Sequence, residues 1–352
     1  MNKKKKTAYV ALSGGVDSAV SAALLKKAGF DVVGVYMKCW TEGAACTTVE
    51  DERSARLVAS HLNIPFYSWN FVKEYKEKVV EYMLDGYRQG ITPNPDMMCN
   101  REIKFGLFFK KAMSLGADFV ATGHYAKTKR TGQGYMLYKG ADEGKDQSYF
   151  LSMIHPDVLS KTLFPLGEYT KLQVRAFARK LGLPNAERKD SQGICFVGKV
   201  EIGEFLRLHI EPRKGSIVSL AGKVLGEHDG VQYYTIGQRQ GLSLSGGPYY
   251  VVAKDVAANT LRVSKDEEDS VKDRLTVFSV NWFLPIPEKK FRATAKFRYR
   301  QEDVPVSVEV RPDGSLLVIP DVPQRALTPG QFAVFYLGDK LVAGGVISPH
   351  MV

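Results

Sequence analysis

Three segments of this 352-residue chain have side chains and spacing suited to chemistry. The first, Ser13-Gly14-Gly15-Val16-Asp17-Ser18, joins two glycines to two hydroxyls and a carboxylate. Paired glycines let backbone N–H groups approach an anion, and a following helix adds the positive end of its dipole. Ser13 and Ser18 can add hydroxyl donors, so the segment reads as a phosphate-binding loop. It lacks the GxxxxGK[ST] pattern and is not a Walker A loop. Asp17 has two open roles, helix cap or Mg²⁺ ligand. The second segment, Thr92-Pro93-Asn94-Pro95-Asp96-Met97-Met98-Cys99-Asn100, carries a thiol. Its prolines and asparagines predict a rigid loop rather than a helix. Helical spacing resumes near Ile103, and Arg101 and Lys104 lie close by; both features can lower a thiol pKa from about 8.5. The third, Asp190-Ser191-Gln192-Gly193-Ile194-Cys195-Phe196-Val197-Gly198, carries a second thiol between glycines, where the backbone is permissive. A lone cysteine is usually a small buried hydrophobe. Two thiols in one chain with a phosphate loop carry more weight.

The elements that must position these residues change character along the chain. Residues 9–12 form a short apolar run, residues 16–27 have helical spacing, and Gly29 is a C-cap candidate. Strand patterns at residues 32–37, 65–71 and 118–122 alternate with helical patterns at 50–62, 74–87 and 103–115, which implies βαβ units and a parallel sheet. Residues 172–181 are helical and Gly182 ends them. From about residue 214 the pattern turns to short strands, at 216–220, 233–236, 249–253 and 260–263. A further set at 277–280, 291–297, 306–311, 315–319, 332–336 and 341–347 suggests a small barrel or sandwich. The expected fold class is α/β, a Rossmann-like parallel sheet followed by a small mostly-β connector and a C-terminal β-barrel. The expected domains are 1–206, 207–273 and 274–352.

Net charge is +11, which favours a polyanionic partner such as nucleic acid. No apolar run approaches the roughly 20 residues that span a bilayer, and the Lys-rich start lacks a signal-peptide pattern. The expectation is a cytoplasmic protein with no membrane partner. Four cysteines, Cys39, Cys46, Cys99 and Cys195, include no CxxC pair, so no metal site is assigned.

The hexapeptide at residues 13–18 resembles the PP-loop of ATP pyrophosphatases, which cleave ATP between its α and β phosphates and adenylate a substrate. That resemblance implies ATP, with Mg²⁺, held by Ser13, Gly14, Gly15, Val16, Asp17 and Ser18. It also places Ala11, Leu12 and Met37 beside the nucleotide and Gly123 against the adenosine. His124 receives no chemistry. The match then narrows. The segments around Cys99 and Cys195 closely resemble the tRNA-specific 2-thiouridylase family. So do Gly43-Ala44-Ala45-Cys46, Gly123-His124-Tyr125-Ala126, Lys145-Asp146-Gln147-Ser148-Tyr149-Phe150-Leu151, the run Tyr234-Thr235-Ile236-Gly237-Gln238-Arg239-Gln240-Gly241-Leu242, and Phe297-Arg298-Tyr299-Arg300-Gln301. Cys39 departs from that family, which usually has Asn there, beside the expected nucleotide pocket.

The resemblance implies a mechanism. A uracil carbonyl oxygen is a poor leaving group. ATP converts the C2 oxygen of a wobble uridine into an adenylate, releasing pyrophosphate; sulfur attacks and AMP leaves. Cys195 is similar to the family's persulfide carrier. Cys99 is similar to its partner, which either attacks the persulfide to leave a Cys99–Cys195 disulfide or acts as an acid toward released sulfide. Asn94, Pro95 and Asp96 would meet the flipped base, with Asp96 also a candidate proton acceptor. Lys145, Asp146 and Gln147, with Arg298, Tyr299, Arg300 and Gln301, would grip tRNA; glutamate, lysine and glutamine acceptors are the family's. A cysteine desulfurase or sulfur-relay protein would supply the persulfide. For residues 297–301, alternation alone also allows an exposed strand. Two other classes stay open at this level: a PP-loop ligase acting on a metabolite, and a tRNA-binding protein with an inactive nucleotide loop.

Overall fold

The computed structural model describes residues 5–41, 48–190, 202–285 and 288–349; Cys46 and Cys195 lie outside them. The N-terminal half is built on a parallel sheet of β1 (Thr7–Ala11), β2 (Asp31–Lys38), β3 (Phe66–Asn70) and β4 (Phe119–Ala121). A hairpin, β5 (Ala126–Thr131) and β6 (Gly134–Lys139), follows, and β7 (Thr162–Leu163) completes the sheet. The order is β3-β2-β1-β4-β7, all parallel. Such strands are buried on both faces, which is why β1 reads as an unbroken apolar run. One face packs on α1 (Val16–Lys27), α2 (Thr48–His61) and the later α7 (Lys171–Lys180) through Val20, Val58, Val174 and their neighbours. The other packs on a helical layer that starts with α3 (Val72–Tyr75), a π-type stretch at Lys76–Val80 and α4 (Glu81–Arg88). That layer continues through α5 (Pro95–Met98), a longer π-type stretch at Cys99–Phe108 and α6 (Phe109–Ser114).

The remainder is mostly β. After α8 (Ile202–His209) come β8 (Gly215–Ser219), β9 (Val224–His228), β10 (Tyr250–Asp255) and β11 (Thr260–Ser264), paired in the order β10-β11-β8-β9. A short β12 (Val271–Lys272) leads to β13 (Leu275–Trp282), β14 (Lys290–Lys296), β15 (Val304–Val310) and β16 (Leu316–Pro320). The chain ends with β17 (Gln324–Arg325), β18 (Phe332–Leu337) and β19 (Lys340–Ile347). Strands β13-β16-β15-β14-β18-β19 close on themselves through β13–β19, a six-stranded antiparallel barrel. The expected α/β sheet followed by a barrel is what the chain forms. One feature of the arrangement was not anticipated: hairpin β5–β6 leaves the N-terminal half and joins the barrel sheet through Tyr138 and Lys340.

Two local expectations fail. Residues 233–236 are not a strand. Gly230 and Gly237 take positive φ around a tight turn at Val231–Tyr233, and Thr235 N–H is taken by Gln238 Oε1 at 3.0 Å. The apolar run there is spent on packing Tyr234 against His228, not on a ladder. The proline-rich segment is the second case. Pro95 occupies the first turn of α5 and Asn94 caps it, so the two residues that argue against a helix interior are good helix starters. No helix among the described residues is long and apolar enough to cross a membrane.

Lys254 on β10 faces the junction of the three regions and lines a cavity of about 320 Å³ with Thr92, Ser270 and Leu327. Its ammonium donates to Tyr234 O at 2.7 Å, and burial pushes its pKa down to about 8. A folded pKa below the unfolded one near 10.4 penalises the folded state at neutral pH, and the penalty disappears as pH rises from about 8 to 10.4. Lys254→Met is therefore expected to be more stable than wild type at pH 7. Urea unfolding at pH 7 and 10 checks this: the advantage of the variant should shrink at the higher pH.

Candidate active site

The phosphate loop lies where the strand order reverses, between β1 and β4, the usual ligand crevice of an open α/β sheet. Leu12 N–H still pairs with Val35 O at 2.8 Å, so the sheet carries the chain to the edge of the loop. Two serines then close it. Ser18 Oγ accepts from Ser13 N–H at 3.1 Å and donates to Gly15 O at 3.0 Å, and Ser13 Oγ lies 3.3 Å from Ser18 Oγ. Gly14 has φ +80°, and a Cβ there would stand 2.4 Å from Asp51 O. Its carbonyl accepts three donors, Ser54 Oγ at 2.8 Å, Asn185 Nδ2 at 2.9 Å and Arg188 Nη1 at 3.2 Å. With that oxygen turned inward, the trans peptide turns the Gly15 N–H the other way, where it makes only a long 3.4 Å bond to Ser13 Oγ.

Asp17 does not act as the helix cap, one of the two roles left open by the sequence. Gly15 is the N-cap of α1 and no side chain caps it. The Asp17 carboxylate instead accepts from Lys171 Nζ at 2.7 and 2.8 Å and from Tyr125 Oη at 2.8 Å. Lys171 also reaches Asp190 at 2.8 Å, and Asp190 is paired with Arg175 and Lys145. These cations hold Asp190 down to about 2 against the effect of its burial. An ammonium lies on both oxygens of the Asp17 carboxylate. Gly123, at the end of β4, packs on the same turn; a Cβ there would lie 2.8 Å from Ser18 N. Ala11, Leu12 and Met37 are buried at the adjoining strand ends. His124 is held neutral by burial between Phe105 and Phe164 and bonds Thr122 at 2.8 Å. It has the structural role left to it.

Cys99 opens the longer π-type stretch and is completely buried against Met83, Tyr87 and Ile103. Asn94 accepts from Met97 N–H at 3.2 Å, and Pro95 and Asp96 follow on the first turn, half-buried. Cys39 is buried beside Trp40, and Met37 belongs to the same cluster. The structure brings the two expected RNA-gripping segments to one cleft of about 620 Å³, lined by Asp146 on one side and Arg300 and Gln301 on the other. The Phe150 and Tyr299 rings meet across the boundary, tilted at 45° with centroids 4.4 Å apart. Residues 297–301 form a turn beyond β14, not an exposed strand. Arg298 and Arg300 are exposed; Arg298 donates to Arg325 O and Ala326 O at 2.8 Å, and Arg300 lies over the Tyr299 ring. Gln301 bonds Gln324 at 2.8 Å. Asp146 is buried, accepting from Gly140 N, Ser148 N and Ser148 Oγ, while Gln147 accepts from Tyr125 N. Lys145 is paired with Asp190 at 3.0 Å.

Three family models match in succession: a tRNA methyl transferase HUP domain at residues 6–199, a tRNA methyl transferase PRC-barrel domain at 203–265, and an aminomethyltransferase beta-barrel domain at 272–347. The chain is 48% identical to tRNA-specific 2-thiouridylase MnmA of Geobacillus thermodenitrificans over 346 residues, 96% of this chain and 93% of that protein. It is 49% identical to tRNA-specific 2-thiouridylase MnmA of Streptococcus pyogenes over 352 residues, 96% of this chain and 94% of that protein. The chain belongs to the tRNA-specific 2-thiouridylase family. A solved 4-thiouridine synthetase–RNA complex with bound ATP is 18% identical, covering 58% of this chain and 50% of that one with a TM-score of 0.34, too slight a likeness to bear on function.

For a 2-thiouridylase, the residues that sequence reading missed are Ser54, Asn185 and Arg188 on the Gly14 carbonyl, and Tyr125, Lys171 and Asp190 around Asp17. Tyr125 and Asp190 lie in segments singled out above without a role of their own, and Lys171 has a local signal. Thr170-x-x-Gln173 is a capping box, and Lys171 is the first residue of the helix it starts. Lys171→Ala leaves Asp17 and Asp190 without their shared cation. It should cost about 1–2 kcal/mol of stability, discounted from a buried pair because both carboxylates are partly exposed. ATP-dependent pyrophosphate release by the purified variant should fall at least about ten-fold, while tRNA affinity measured by filter binding stays within about two-fold.

Proposed function

We propose that this chain makes 2-thiouridine at the wobble position of tRNA, using ATP to adenylate the C2 oxygen and sulfur to displace AMP. The observation that carries the reading is a phosphate loop built by Ser13, Gly14 and Ser18 in a chain whose whole length matches 2-thiouridylases. Backbone N–H groups of the loop and of the start of α1 would receive the nucleotide's phosphates, with Lys171 holding the Asp17 carboxylate of the same turn. Ala11, Leu12, Met37 and Gly123 would flank the adenosine. Mg²⁺ would accompany the nucleotide's phosphates.

Cys195 would carry the persulfide sulfur, and it follows Asp190 by five residues, a tether of at most about 18 Å. The terminal sulfur attacks C2 of the adenylated uridine, the C2–O bond breaks, and AMP leaves with that oxygen. The Cys99 thiolate then attacks Cys195 Sγ, and the bond from Cys195 Sγ to the transferred sulfur breaks. That sulfur keeps the bond's electron pair and stays on C2 as the 2-thiouridine. The Cys99–Cys195 disulfide left behind is reopened by a thiol reductant. Asn94, Pro95 and Asp96 would meet the flipped base, and Asp96 would take its proton. The open cleft lined by Arg298, Tyr299, Arg300 and Arg325 would hold the anticodon arm, phosphates on the arginines and a base on the Tyr299 ring. The three-way division at 1–206, 207–273 and 274–352 fits catalysis in the first unit and RNA contact in the third. The acceptors are the glutamate, lysine and glutamine tRNAs, and a cysteine desulfurase or relay protein supplies the sulfur.

Two tests follow from the chemistry. Cys99→Ser and Cys195→Ser should each abolish thiolation, read by mass analysis of tRNA nucleosides, while ATP affinity stays within about two-fold. Normal thiolation by Cys195→Ser would sink the persulfide route. Arg300→Ala should weaken tRNA binding and reduce the slope of log K against log salt by about 1. An unchanged slope would remove its phosphate role.

A further inference from the structure

Lys254 carries a charge for which the fold supplies no counter-ion. An ammonium has three N–H groups. One goes to Tyr234 O at 2.7 Å, and no carboxylate lines the cavity beside it. A cation kept from water is costly unless it is paired. The other largely buried lysines of this chain obey that rule: Lys171 meets Asp17 and Asp190, and Lys139 and Lys296 meet Asp303. Lys254 departs from it, and burial alone lowers its pKa to about 8.

The cavity it lines holds about 320 Å³, at the lower end of the range for small-molecule sites. Ile91, Ile236, Val252, Val256, Leu327 and Pro329 make most of the wall apolar. Lys254 and Lys272 are the titratable groups that face it from any side. The Ser270 and Thr328 hydroxyls already donate to Glu267 O at 2.7 Å and Ala326 O at 2.9 Å, so the ammonium is the main donor left for a ligand. The walls are fixed by bonds between separate stretches of chain. Thr92 N–H donates to Pro329 O at 2.8 Å, Ala326 N–H donates to Ser270 O at 3.2 Å, and Thr92 Oγ1 lies 3.2 Å from Thr235 Oγ1. Gly90 has φ +74°, and a Cβ there would run into Val256, so the middle region closes directly on the chain before Thr92. The site is therefore preformed. An apolar wall with one enclosed ammonium suits an apolar body ending in a single negative charge. A phosphate would need more donors than the cavity offers.

We propose that this cavity binds a small organic monocarboxylate, its carboxylate on the Lys254 ammonium and its apolar body between the three regions. Such a ligand supplies the missing counter-charge and touches walls from all three regions at once, so it stabilises their association. The site is separate from the phosphate loop and does not depend on the thiolation reading.

The test is titration calorimetry and thermal unfolding of the purified full chain with hexanoate. Three comparison probes divide its features: 1-hexanol has the body without the charge, acetate the charge without the body, and inorganic phosphate a different oxyanion. Hexanoate should bind with a Kd of about 1 mM or below and raise Tm, with each comparison probe about ten-fold weaker or more. Lys254→Met and Lys254→Gln should each weaken hexanoate about ten-fold or more. The carboxylate needs the protonated amine, whose free pKa is about 8, while hexanoate stays ionised. Affinity should therefore fall about ten-fold from pH 7 to pH 9. That series uses the wild type alone and decides the matter even where a variant folds poorly. Hexanol binding as tightly as hexanoate would reduce the site to an apolar hole and overturn the proposal. So would tighter binding of phosphate, unchanged affinity in both variants, an affinity flat between pH 7 and 9, or no saturable binding of hexanoate.

Discussion

Lys171 stands between two carboxylates, and much of the site depends on that arrangement. It joins Asp17 of the phosphate loop to Asp190, the last described residue before the segment with Cys195. The lysine side chain is largely buried, while each carboxylate keeps about a third of its surface in water, so the shared ammonium and the solvent together balance their charge. Arg175 and Lys145 add to Asp190, and Tyr125 adds to Asp17. A charge change in the loop is thus felt at Asp190 through one ammonium. Lys145 also belongs to the segment proposed to meet RNA, so three functional regions share one electrostatic network.

The glycines explain why the loop can be built at all. Gly14 and Gly123 lie where backbone touches backbone, at the point where the sheet order reverses. The carbonyl of Gly14 is inward because three donors from α2 and from the chain after α7 take it. Those donors come from residues 40 to 174 positions away in sequence. Local pattern reveals the loop but not what fixes it.

That difference describes how the chain could be read more generally. Periodicity and turn residues sufficed for the α/β class, the parallel sheet and the barrel, because buried parallel strands and punctuated antiparallel strands leave strong local marks. The phosphate loop and the thiols were legible as residue types, and the family resemblance assigned them. Two segments misled for opposite reasons. Pro95 and Asn94 look like breakers but start a helix, and Tyr233 and Tyr234 look like strand formers but sit at a turn where Tyr234 is buried. Burial of Cys99, the partners of Asp17 and the cavity at Lys254 depend on contacts between distant segments. No single stretch of sequence encodes them.

The central claim is that the uridine oxygen becomes the leaving group. The direct measurement is to supply tRNA whose wobble uridine carries ¹⁸O at C2, with ATP and a persulfide donor, and to weigh the AMP released. The account predicts one ¹⁸O atom in the phosphate of AMP for each 2-thiouridine formed. Unlabelled AMP accompanying full thiolation would contradict it.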